Sequence, residues 1–142
     1  MSFREKSAWI ILITLIVLTI AFWLHLSPPL TLAPEPNPFM FHVLMLSIGT
    51  FIGVVVIAHI VVAVLAPRDA KAAKDERERL IALKSTAIAA YVYTFLTMGG
   101  IFISLHVVHA NEIGIAYLML LSFVVAEIVN YALRIYYYRR GI

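Results

Sequence analysis

The sequence predicts an all-α integral membrane protein, an antiparallel four-helix bundle with both termini on the cytoplasmic side. Three observations predict it. Of 142 residues, 63% are hydrophobic and only 13% charged, where a soluble domain carries about 25% charged residues. Four apolar stretches, Ser7–Leu26, Phe39–Ala66, Thr86–Ala110 and Ile113–Leu133, meet the ~20 residues that a helix needs to cross about 30 Å of hydrocarbon. The 11 Lys and Arg residues are confined to the segments before the first stretch, between the second and third, and from the end of the fourth onward. Cytoplasmic segments are enriched in such residues, and an even number of crossings puts all three on one side. The +3 net charge is thus explained by topology and gives no ground for nucleic acid as a partner.

Each element follows from its own residues. Ahead of the first span lie Arg4 and Lys6; its apolar run is longer than a signal-peptide core and no small-x-small cleavage site follows, so it is expected to be retained as a span. Trp9 marks its inner edge, and Phe22 and Trp23 its outer edge, where amphipathic rings settle at the bilayer interface. The outer loop, 27–38, contains Pro28, Pro29, Pro34, Pro36 and Pro38, which make it an extended connector. Pro38 suits the first turn of the second helix. Pro67 closes that helix, and the segment 67–85 is rich in Ala, Lys, Glu and Arg, good helix formers. Asp75 precedes Arg79 by four residues, the favoured order for a helical pair. A cytoplasmic helix running into the third span is therefore expected. Tyr136, Tyr137 and Tyr138 follow the fourth span beside Arg139 and Arg140. The four spans use most of the chain, so residues 1–142 read as a single membrane domain.

The run Asp75-Glu-Arg-Glu-Arg-Leu-Ile81, the terminal Tyr137-Tyr-Arg-Arg-Gly141 and the opening Phe3-Arg-Glu-Lys-Ser-Ala-Trp9 resemble small bacterial four-helix membrane proteins with a DER-x-x-x-I element, a group of unknown function. The resemblance implies a bacterial inner membrane and brings no catalytic residue with it. Read physically, Asp75, Glu76, Arg77, Glu78 and Arg79 form either a solvated helix face or the docking surface for a partner.

Ionisable residues inside a span are costly and so point to function or to a partner. Counted from the inner ends, His59, Glu127, Tyr91 and Tyr93 fall at a similar level, with Asn130 on the same helix face as Glu127. They are expected to form a buried polar clamp, with His59 as the first candidate partner of Glu127. The sharper reading makes Glu127 the proton site of a small proton-coupled transporter, with a pKa raised by desolvation. At the outer end stand His25, His42, His106 and His109. Imidazoles suit haem iron, zinc or copper, so a haem- or metal-binding redox bundle is a second reading. Gly49 and Gly53 form a GxxxG element in the second span, and Gly99 and Gly100 lie near mid-depth in the third. Such residues let membrane helices approach closely, either between the second and third helices of one chain or in a homodimer.

Cysteine is absent, which excludes disulfides and thiol chemistry. No HExxH, glycine-rich phosphate loop or serine–histidine–acid set is legible. The leading reading is a non-enzymatic accessory or interaction subunit of the membrane, assembling with itself or with a larger complex.

Overall fold

The computed structural model describes residues 3–26, 38–65, 75–108 and 112–140, and the side chains of 4–21, 41–42, 45–65, 75–106, 112 and 114–140. Four helices account for the described residues: α1 (Phe3–Leu26), α2 (Pro38–Leu65), α3 (Glu76–Ile103) and α4 (Glu112–Arg140). Helix α2 opens on Pro38, whose missing N–H falls where no helical partner exists. The outer loop and residues 66–74 of the charged inner segment lie outside the described residues. From Glu76 onward that segment and the third span are one unbroken helix, as the run of good helix formers implies.

Asp75 fixes the start of α3. Its side chain accepts a hydrogen bond from the Glu76 backbone N–H at 2.8 Å, and its carbonyl accepts from the Arg79 N–H at 3.0 Å. The carboxylate expected to pair with Arg79 is thus used as a cap, satisfying a donor that a helix start leaves open. At its far end α3 widens into a π-helical turn, Ser104–Val108.

The helices pack in the order α2–α1–α4–α3. Helix α4 runs along α3 on one side and α1 on the other, while α2 lies on α1 and touches α4 only lightly. Helices α2 and α3 do not pack along one another, which leaves each at an edge. Against α1 the core is Ala8, Leu12 and Ile135, with Trp9, Ile128 and Tyr131 packed around it. The seam between α3 and α4 has a different chemistry. Buried Ser85, Ala89, Thr97 and Ser104 of α3 and Ser122, Ala126 and Asn130 of α4 are small or polar. Such residues let membrane helices associate by close backbone approach, lipid being as apolar as any leucine. At Gly100 the packing is close: an added Cβ would lie 2.5 Å from Cδ2 of Leu118.

Three stretches, Met45–Leu65, Glu76–His106 and Gly114–Arg140, are long and apolar enough to cross a membrane. Their outward faces are apolar as well: Leu46, Ile57, Val64, Leu83, Phe95 and Met98 are all exposed. A bilayer covers such a surface, and the helices satisfy their own backbone groups, as spanning structures must.

Candidate functional site

Most of the described charged groups gather at one end of the bundle, where α1 and α3 begin and α4 ends; Glu112, at the start of α4, lies at the other end. Arg4 Nη1 pairs with Glu78 Oε2 at 3.0 Å, tying α1 to α3. Arg139 Nε lies 3.6 Å from Glu5 Oε1, tying α4 to α1, and its guanidinium sits over the Trp9 ring at 5.5 Å. Arg77 Nη2 donates to the Tyr138 carbonyl at 3.4 Å, closing the ring from α3 back to α4. Arg140 covers Tyr136 at 5.1 Å. These contacts place the start of α1 and the end of α4 side by side. They also divide the expected docking set. Asp75 caps, Glu78 is paired and Arg77 reaches α4, whereas Glu76 and Arg79 stand exposed.

One level deeper a polar ladder runs along α4. Asn130 Nδ2 donates to Glu127 Oε2 at 3.2 Å, and Arg134 Nε donates to Asn130 Oδ1 at 3.2 Å. Arg134 Nη2 reaches Thr86 Oγ1 on α3 at 3.5 Å, and the guanidinium lies 5.0 Å from the centre of the Tyr131 ring. Spacings of three and four residues put Glu127, Asn130 and Arg134 on one helix face. Glu127 is half-buried, its carboxylate held by the buried Asn130 amide with the Arg134 guanidinium beyond that amide. Asn130 holds this ladder in place but does not titrate, so it cannot itself pass a proton between Glu127 and the rim.

The structure thus brings Glu127 and Asn130 together and adds Arg134, which charge placement alone marks as a topology signal. His59 is elsewhere: Nδ1 is 2.8 Å from the Val55 carbonyl of its own helix, and the ring is exposed. Tyr91 points outward, while the Tyr93 ring meets Phe123 edge-on at 6.4 Å. Phe123 also meets Phe51 of α2 at 6.4 Å.

Of the outer histidines, His42 and His106 are described. His42 is exposed with its ring edge-on to Phe41, and His106 stacks on Phe102 at 4.5 Å with Nδ1 3.1 Å from the Phe102 carbonyl. The side chain of His25, and His109 altogether, lie outside the described set. Among the described residues, no three His, Asp or Glu side chains come together as a metal cluster. The glycines separate as well. Gly100 is packed under Leu118, whereas Gly49, Gly53 and Gly99 have nothing within 4 Å of an added Cβ. The GxxxG element is therefore not in the interior of the chain.

No family model, no curated protein and no solved structure matches this chain. The all-α, four-helix architecture with three membrane-capable helices therefore rests on the chain's own residues.

Proposed function

We propose that this chain is a small inner-membrane protein, crossing the bilayer four times with both ends in the cytoplasm, that acts as a non-enzymatic accessory or interaction subunit. The braced charged rim carries the reading. Three intra-chain contacts fix the start of α3, so Glu76 and Arg79 are presented on a braced element rather than on a loose loop. A preorganised surface loses less freedom when a partner docks. The distribution of all 11 basic residues supports the orientation, and the likeness of the DER-x-x-x-I run to bacterial four-helix membrane proteins supports the bacterial inner membrane.

The test reverses the two exposed charges together, Glu76→Lys with Arg79→Glu, and compares the proteins that co-purify from native membranes after gentle extraction. The expected result is loss of a defined partner with membrane insertion unchanged. An unchanged set of co-purifying proteins, together with lost activity in a Glu127→Gln variant that still folds, refutes the docking reading in favour of proton-coupled transport.

A further inference from the structure

The outer edge of α3 is an aromatic ridge. Tyr91 and Phe95 are 78% and 79% exposed and Phe102 60%, with Met98 between them. Spacings of four, three and four residues align these side chains on one face, opposite the buried Ser85, Ala89 and Thr97 that pack on α4. The three rings alone leave roughly 400 Å² uncovered, at about 150–250 Å² for a whole aromatic side chain. That is about half of the ~800 Å² each partner gives to a stable interface, and Leu80, Leu83 and Met98, all exposed, extend the same surface.

The opposite edge carries small residues. On α2, Phe51 and the buried Val62 face the bundle, and Gly49 and Gly53 lie on the far side with open space beyond them. The depths agree too. Phe123 touches both Phe51 and Tyr93 at 6.4 Å, which sets those two residues at one level. Residues 66–75 reach at most about 40 Å fully extended, too little to carry the chain back along the ~42 Å of a 28-residue helix, so α2 and α3 run in opposite directions. Two residues toward the outer side then bring Gly49 level with Phe95, and two toward the inner side bring Gly53 level with Tyr91.

We propose that copies of this chain associate edge to edge in the membrane, with Tyr91 and Phe95 of one copy seated over Gly53 and Gly49 of the next. The contact joins two different faces, so it repeats from copy to copy and forms a ring or a row. It rests on the membrane placement but not on the docking of a cytoplasmic partner.

The chain has no cysteine, so introduced ones report cleanly. Two differently tagged copies, one Phe95→Cys and the other Gly49→Cys, are co-expressed and oxidised in native membrane vesicles. The expected product is a disulfide-linked pair carrying both tags, reproduced by Tyr91→Cys with Gly53→Cys. Ala90→Cys, exposed at a similar depth but off the ridge, gives the background. Energy transfer between labelled wild-type copies in vesicles is expected to fall several-fold in the Gly49→Leu, Gly53→Leu variant, in whose own fold a Cβ added at either position meets nothing within 4 Å. Cross-linking no stronger than the Ala90→Cys background overturns the proposal and leaves lipid on both edges. A Gly49→Cys copy linking only to itself overturns it in favour of a symmetric α2 dimer. Neither failure touches the Glu76 and Arg79 reading, which co-purification tests separately.

Discussion

Replacing Gly100 by alanine places a methyl group 2.5 Å from Cδ2, 2.8 Å from Cδ1 and 3.0 Å from Cγ of Leu118. The two methyl groups can turn aside, but Cγ is near the root of the side chain, so α3 and α4 must part slightly or Leu118 must change rotamer. Overpacking of this kind costs about 1–3 kcal/mol. Alanine recovers up to about 1 kcal/mol of helix propensity, leaving a net loss of roughly 0–2 kcal/mol, and valine at the same position sits at the upper end of the overpacking range. The control is next to it: Gly99→Ala meets nothing within 4 Å and should be neutral or slightly stabilising. Reversible unfolding in mixed detergent micelles measures both. Leu118→Ala combined with Gly100→Ala should then recover part of the loss, a coupling visible in a double-mutant cycle. If Gly100→Ala is as harmless as Gly99→Ala, the close approach at this position is refuted.

The remaining predictions concern polar groups. Asn130→Leu removes both hydrogen bonds of the α4 ladder and should cost about 1–3 kcal/mol, while Glu127→Gln keeps an acceptor for Asn130 and should cost less; the same unfolding assay ranks them. Thr97 Oγ1 is buried without a hydrogen-bond partner, so Thr97→Val, which keeps the shape and drops the hydroxyl, should leave stability unchanged or raise it by about 1 kcal/mol. Arg4→Glu should loosen the rim, seen as faster protease cleavage near the start of α3. Adding Glu78→Arg restores the pair with its charges exchanged and should reverse that effect. Asp75→Ala removes the α3 cap and should cost about 1 kcal/mol, with amide exchange rising in the first turn of α3 and not at Gly100.

Composition, apolar run length and Pro38 made the helices legible, because each is a local property of the chain. The continuity of the charged segment with the third span was legible for the same reason from Glu76 on. Pairing between helices was not, since counting from the span ends gives depth but not rotation. His59 and Glu127 share a level, yet His59 is rotated outward onto its own Val55 carbonyl, and Arg134 takes the place beside Asn130. The spacing of Glu127, Asn130 and Arg134 held that information; treating Arg134 only as a topology marker concealed it. The seam of Ser85, Ala89, Thr97 and Ser104 was similarly present as small residues recurring along one face of α3. Gly49 and Gly53 show the opposite case, where a packing motif is plain in sequence but faces open space among the described residues.

The position of α4 between α1 and α3 has a consequence for biogenesis. When the first three helices have emerged from the ribosome, α1 and α2 can form a hairpin, but α3 has no long face to join, because its one extended seam is made with α4. The Glu5–Arg139 and Arg77–Tyr138 contacts likewise form only once the end of α4 has been made. In the proposed membrane placement the set of helices is therefore incomplete until synthesis has passed Arg140, and only then can the pieces lock into one unit. A nascent chain stalled after α3 should remain an open substrate for membrane proteases, whereas one carrying all of α4, Glu112–Arg140, should be resistant.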